Sequence, residues 1–429
     1  MRGFYTALLT RANADRRQMR LVVPAEADAV ESVGDYGRIY YVAAPSSLLR
    51  DRGRRLLLPH AYLHASAKLR KNLSDEQPDL IEISNEYWLC HLGGLVRRGL
   101  ATVGKRPVLV GLSCERTDDK VAAYFGGGRT RRALTRAYVR HVYGPSFDAH
   151  IANSEYTADE LRRNLWDHAI DFVRVCPMGV ESAAFGPVHR DRELRARLLA
   201  QAGGTRESVL LLYAGCVSPE KNLRLLIETL ERLVRPTRFR GDAERDYRLV
   251  IAGDGRAVNA LKAEAPHDVA RRVLWLGAIH DRVELARLYA SADVFVHPNP
   301  REPFGTGPLE AMASRIPLVA PAAGGVLSYA THQNAWLAEP DAHSFALAIR
   351  TAVSSTDPFR IAAAFATARS LDWSAVSVRY FRVYDELYRR HSGNVALPIS
   401  LSRLAVTRFW RSALREGRDA RVFHTASRC

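Results

Sequence analysis

Two carboxylates, Glu302 and Glu310, stand eight residues apart in DVFVHPNPREPFGTGPLEAMASRIPLVAPAAGG, residues 293–325. A glutamate carboxylate offers two acceptor oxygens, which suits the holding of hydroxyl groups. Between the two, the spacing predicts a helix start with Gly307 as cap and Pro308 at the first helical position. The backbone N–H groups of Thr306, Gly307 and Leu309 then point out of a helix N-terminus, a ready site for a diphosphate. Glu310 falls at the third helical position, where a carboxylate also has a purely structural use, bonding back to the cap and favouring the helix dipole. The opposite charge comes from Lys221 in VLLLYAGCVSPEKNLRLLIETL. It is expected in the first turn of a helix capped by Ser218 with Pro219 first, where a cation opposes the dipole. That placement makes sense if an anion arrives there; a solvated lysine is the alternative.

The elements that carry these residues read as strands alternating with helices. Asp293 to His297 is a short apolar run ended by Pro298, a buried strand that delivers the next loop to the sheet edge. VLLLYAG, RLVIAG and VLWLG each end in glycine, at Gly215, Gly253 and Gly277. Leu223, Leu226, Ile227, Leu230 and Leu233 form one apolar helix face. Upstream, RLVVP, GRIYYVAA, PDLIEIS, PVLVGLS, FDAHIANS and FVRVCP alternate with helical segments, among them LLPHAYLHASAKLRKNL. The pattern is that of mostly parallel sheets covered on both faces. NSEYTADEL is read as a helix start with Thr157 as cap and Glu160 closing a capping box.

Composition narrows the partners. Five widely spaced cysteines with no C-x-x-C pair point neither to a zinc site nor to a disulfide framework. A reducing, cytoplasmic setting is the default reading, and no run approaches the roughly 20 apolar residues of a membrane span. The net charge of +16 is uneven. Residues 1–190 carry 28 Lys and Arg against 21 Asp and Glu, 191–356 carry 21 against 19, and 357–429 carry 13 against 6, so the excess avoids the middle third. Basic ends suit an anionic membrane surface, an anionic glycan or solubility alone, and the arginine-rich run 129–141 on a helix reads first as a solvated face, with membrane or phosphate contact the alternative. Nucleic acid is not expected, because the basic runs lack interleaved aromatics. The tail 393–429 is basic, with Leu401, Leu404, Phe409, Trp410 and Leu414 available to an apolar side. A disordered tail and an interfacial helix are its two readings.

EPFGTGPLEAMA, followed by PLVA and GG, resembles the signature of the family 4 retaining glycosyltransferases, also called glycosyl transferases group 1, of the GT-B fold. The resemblance implies two Rossmann-like doubly wound α/β domains facing a cleft. It also implies a metal-independent hexosyl transfer, with retention, from a sugar nucleotide to a lipid or glycan acceptor, with no cofactor. The donor would be a UDP-, GDP- or ADP-sugar. Carried over by position, Glu310 would hold the ribose diol and Glu302 hydroxyls of the donor sugar, while Lys221 would meet the diphosphate. Gly215, Cys216, Gly253, Arg256, Gly277, Phe304, Gly305, Thr306 and Leu309 would line the donor, the backbone after Gly277 meeting the base. The corresponding division is an acceptor-side domain over 1–182, a linker over 183–207 and a donor domain over 208–368. A helix over 369–392 would cross back to the first domain, ahead of the tail.

The chain departs from that pattern in several places. The strand expected ahead of the first helix is missing, with Gly3 the remnant of its glycine loop; this reading takes the chain as starting inside a longer one. Cys216 follows Gly215 where the family has an arginine on the phosphates, and Cys114 stands where many members have an acceptor-side histidine. Arg315 replaces a usual Gly, and Ser328 replaces a frequent Glu. A catalytically impaired nucleotide-binding protein and a sugar-nucleotide epimerase therefore remain as alternatives to transfer. The nearest approach to a metal-holding Asp-x-Asp is Glu26-Ala27-Asp28, a poor match.

Overall fold

The computed structural model describes residues 2–46, 55, 57–64, 67–84, 89–99, 105–119, 121, 128–235, 245–355 and 357–391. The tail, with its apolar residues from Leu401 to Leu414, lies outside them. The chain divides into two compact units, one running to Pro177 and resuming at Ser374, the other spanning Met178–Trp373. No helix among the described residues is long and apolar enough to cross a membrane.

The first unit opens with helix Arg2–Ala14, followed by β1 (Met19–Ala25), β2 (Ala29–Val33) and β3 (Gly37–Ala43). β1 and β3 pair in parallel, while β2 returns on β3 as an antiparallel hairpin. β2 is an element the sequence pattern conceals, because its side chains are exposed or half-buried and carry no apolar alternation. The Glu26-Ala27-Asp28 run turns the chain between β1 and β2, and Asp28 Oδ1 accepts the Ala43 N–H at 2.7 Å, a structural use. A second sheet holds β4 (Leu80–Ile83), β5 (Val108–Ser113), β6 (Ala149–Ala152) and β7 (Val173–Val175), all parallel. β5 and β6 are buried along their whole length, as strands covered on both faces must be. Among the described residues β1 pairs only with β3 and β4 only with β5, so each keeps one open edge.

What joins these pieces is side-chain chemistry. Tyr5 and Tyr384 donate to the two oxygens of Glu82 on β4, at 3.0 and 2.7 Å. Burial pushes that carboxyl up to about 7 against the pull of the two hydroxyls. Tyr384 belongs to helix Trp373–His391, which also presents Asp385 to Arg17 at 2.6 Å and Glu386 to Arg174 at 2.9 Å. Gly3 lies within the first turn of the opening helix rather than in a glycine loop. Helix Glu155–Asn164 is capped by Ser154, not Thr157. Thr157 is the third helical residue and completes the box with Ser154, which frees Glu160 to accept the Thr117 and Asp118 N–H groups at 2.9 and 2.7 Å.

The second unit is a single six-stranded parallel sheet in the order β10-β9-β8-β11-β12-β13. Its strands are β8 (Val209–Ala214), β9 (Tyr247–Ala252), β10 (Val273–Gly277), β11 (Val294–Val296), β12 (Leu318–Pro321) and β13 (Trp336–Ala338). β9, β11 and β12 are buried throughout, matching their unbroken apolar sequences. The strand order reverses between β8 and β11, and in open parallel sheets the loops leaving such a pair frame a ligand crevice.

Candidate active site

The loops after β8 and β11 carry the residues singled out above. After Ala214 the chain passes through Gly215 (φ 148°) and the half-buried Cys216 into a short 3₁₀ turn, Pro219–Lys221. The expected single helix is therefore interrupted. Asn222 takes a left-handed φ of 56°, a conformation asparagine tolerates, and the α-helix begins only at Arg224. Asn222 Nδ2 donates to the Pro298 carbonyl at 3.1 Å, tying this loop to the one after β11.

That tie brings Lys221 against Glu302, with Nζ 2.8 Å from Oε2 and 3.0 Å from Oε1. Asn299 Nδ2 donates to Glu302 Oε2 at 3.0 Å, and His297 Nε2 stands 4.0 Å from the same oxygen. Glu302 is only 8% exposed. Burial by itself would raise its pKa, but the Lys221 ammonium, His297 and Asn299 hold it down at about 2. Burial pushes His297 down to about 4, so its ring is neutral near neutral pH. The result is an ionised, acceptor-only carboxylate with a cation beside it. A general acid it is not.

The helix after β11 spans Thr306–Ala313 and starts two residues earlier than the proline suggested. Gly305 (φ 82°) turns the chain into it, and Pro308, still in the first turn, loses no helical hydrogen bond. The Thr306, Gly307 and Leu309 amides thus lie in that first turn. Glu310 becomes the fifth helical residue, out of reach of the cap, so the capping use proposed for it is gone. Burial raises its pKa to about 7 although Arg282 and Tyr289 pull it back. Phe304 and Leu309 are buried; Phe304 packs edge-on against Tyr329, whose hydroxyl donates to the Gly305 carbonyl at 2.6 Å.

The glycine turns support these loops by close backbone approach. A Cβ on Gly253 would lie 1.7 Å from the Gly215 carbonyl oxygen, and one on Gly325 would lie 1.8 Å from that of Pro303. Gly277 (φ 73°) has open space where a side chain would project. Arg256 reaches Glu220 at 3.4 Å, beside the same loop as Lys221. Cys114 and Gly3 belong to the other unit, where the Cys114 carbonyl accepts from Asn153 at 3.1 Å. Among the described residues no cluster of three His, Cys, Asp or Glu side chains could hold a metal ion.

Sequence reading missed the partners that hold the site: His297, Asn299, Asn222, Tyr329, Tyr289 and Arg282. Asn299, between two prolines, carried the one visible hint, a polar residue in a loop too stiff to be a simple linker.

A doubly wound sheet joined to a second α/β unit is the architecture of the GT-B fold, and the loops at the switch point here carry this cation, this carboxylate and a helix N-terminus. Residues 198–365 match the family Glycosyl transferases group 1. It is 29% identical over 324 residues, 75% of each chain, to a GDP-mannose-dependent alpha-(1-6)-phosphatidylinositol dimannoside mannosyltransferase of Mycobacterium tuberculosis. A GDP-mannose-dependent alpha-mannosyltransferase of Mycolicibacterium smegmatis is 34% identical over 204 residues, 48% of this chain and 47% of that one. The fold is shared with sucrose-phosphate synthase of Thermosynechococcus elongatus (TM-score 0.66, 19% identity, 90% and 93% of the two chains). It is also shared with Anabaena HepE in complex with UDP-glucose (TM-score 0.60, 17% identity, 90% and 96%).

Proposed function

We propose that this protein moves a hexose from a nucleoside diphosphate sugar to a lipid or glycan acceptor, with retention and without a metal ion. The observation that carries the reading is the Lys221–Glu302 pair beside the N-terminus of helix Thr306–Ala313. An arriving diphosphate competes with Glu302 for the Lys221 ammonium and takes the Thr306, Gly307 and Leu309 amides. Glu302, still fixed by Asn299, is then free to accept hydroxyls of the sugar, and Glu310 takes the ribose diol. Negative charge developing on the leaving diphosphate is met by Lys221 and the helix amides, groups already in place before the bond breaks. The acceptor enters on the face the diphosphate leaves, which retains configuration. GDP-mannose is the first donor to try, since two relatives are named for it.

Full-length protein is expected to gain about 2.7 kcal/mol of stability at 100 times the dissociation constant of its true donor. A thermal-shift comparison of GDP-, UDP- and ADP-sugars reads this, and NMR of the product reads the anomeric configuration. An inverted product sinks the retaining mechanism. Cys216 after Gly215 favours a second reading, a donor-binding protein impaired in transfer; binding with neither transfer nor donor hydrolysis would establish it. An epimeric sugar nucleotide formed without acceptor would point instead to an epimerase.

Helix Arg129–Tyr138 supports a site of action at an anionic, cytoplasmic membrane face. Arg129, Arg131, Arg132 and Arg136 are exposed, as is Leu134 at 66%, while Arg140 stacks 3.9 Å over the ring of the part-exposed Trp166. Each basic residue near such a surface contributes about 1 kcal/mol. Co-sedimentation is expected with vesicles containing phosphatidylglycerol and not with phosphatidylcholine alone. Equal binding to both would remove the membrane from the proposal.

A further inference from the structure

The strands of the second unit have another end. Opposite the donor loops, a cavity of about 670 Å³ opens where β8, β11, β12 and β13 begin, walled by Val209, Pro317, Trp336, Ile361 and Phe365. We propose that this cavity is a second ligand site, taking a small organic oxyanion with an aromatic or apolar body.

Three observations carry it. Arg315 lines the cavity with its guanidinium 4.1 Å over the Phe365 ring, and that guanidinium makes no hydrogen bond or ion pair among the described residues. Its backbone is left-handed at φ 58°, a conformation glycine adopts freely and arginine does not. The long cationic side chain is thus kept at a backbone position that disfavours it. Trp336, only 5% exposed, also lines the cavity, and its indole Nε1, a donor with no other capacity, has no acceptor among the described residues. Arg245 adds a second guanidinium, whose one hydrogen bond among the described residues is to the Val353 carbonyl, at 3.1 Å.

The acids present do not cancel this charge. Asp293 is paired with Arg195 at 2.6 Å and Asp357 with the Arg360 side chain at 3.4 Å, so of the lining acids Glu207 is left against the guanidinium groups of both Arg315 and Arg245. An oxyanion meeting Arg315 and Arg245, with its body against Pro317, Ile361 and Phe365, matches what the walls offer, while the Trp336 ring is already stacked under the Arg360 guanidinium at 4.5 Å. The site is separate from the donor loops, since helix Thr306–Ala313 begins among those loops and Arg315 follows its other end.

Phenyl phosphate is the probe, with phenol as the uncharged control, and the full chain is titrated by saturation-transfer NMR with and without GDP or UDP. Saturable binding of phenyl phosphate in the millimolar range or below is expected, tighter than phenol and not displaced by either nucleotide. Arg315→Gly and Arg245→Gln should each weaken it about tenfold or more. Arg315→Gly should melt no lower than the parent, because the glycine relaxes the left-handed turn, so loss of binding there is not loss of fold. Displacement by nucleotide, absence of saturation, or unchanged affinity in both variants overturns the proposal.

Discussion

Glu302→Ala is expected to lower sugar transfer by about 10- to 150-fold, the rate equivalent of about 1.5–3 kcal/mol for a lost hydrogen bond to a charged group. It should also destabilise the fold. The substitution leaves the Lys221 ammonium, 25% exposed, without its carboxylate and next to His297. Breaking a fully buried pair costs about 3–5 kcal/mol, and the partial exposure of Lys221 brings the expectation down to about 2 kcal/mol. Urea unfolding of Glu302→Ala and of Glu302→Ala with Lys221→Met separates the two effects. The double variant should regain stability while transfer stays low. The sign with pH follows from the depressed pKa. The pair's contribution is present above the unfolded carboxylate value of about 4.3 and fades only as pH falls towards about 2. Stability from this source is therefore flat between pH 5 and 8, and a single variant as stable as the parent would show the pair to be thermodynamically idle.

Donor affinity, by contrast, is expected to rise with pH through about 7. Burial holds Glu310 near that value, and the ionised carboxylate is the form that accepts two ribose hydroxyls. Below pH 7 the dissociation constant of the sugar nucleotide should increase towards tenfold per unit; above it the curve levels. Calorimetric titration from pH 5.5 to 8.5 reads this cleanly, because Glu302 and His297, at about 2 and about 4, do not titrate in the window. Glu310→Gln should bind more weakly and without pH dependence. The ligand-free protein carries the opposite trend. Glu310's raised folded pKa gives stability that is complete below about 4.3 and lost as pH rises through about 7. A parent dissociation constant that ignores pH would remove Glu310 from the ribose.

Much of this was legible in the chain. Unbroken apolar runs marked the buried strands, and the two glutamates with their intervening glycines marked the loop and helix start that follow β11. What pairing lies between them was not legible: Lys221 and Glu302 meet across 81 residues because Asn222, left-handed, hooks the Pro298 carbonyl. Nothing local in PEKN announces that hook. The helix start at Thr306 was misplaced because proline at the third helical position satisfies the same rule as proline at the first, and only the positive φ of Gly305 decides between them. Thr157 was taken for a cap because serine and threonine both cap well, and Ser154 reaches the N–H three residues on. β2 escaped notice because an edge hairpin with little burial has no apolar signal to give.

Glu82 holds one tyrosine from the first helix of the chain and one from the last described helix, 302 residues downstream. During synthesis, therefore, the unit that emerges first cannot close first. Its own strands are made by Val175, yet the helix that supplies Tyr384 leaves the ribosome only after the whole contiguous stretch Met178–Trp373. At about 5–20 residues per second that is a delay of roughly 10 to 40 seconds, long against the folding time of a typical small domain. For that interval the open edges of β1 and β4 lack their final brace, at the stage when unpaired strand edges recruit other chains. The later-made unit has all six strands of its sheet within the contiguous stretch Met178–Trp373, so that sheet can be assembled as it appears.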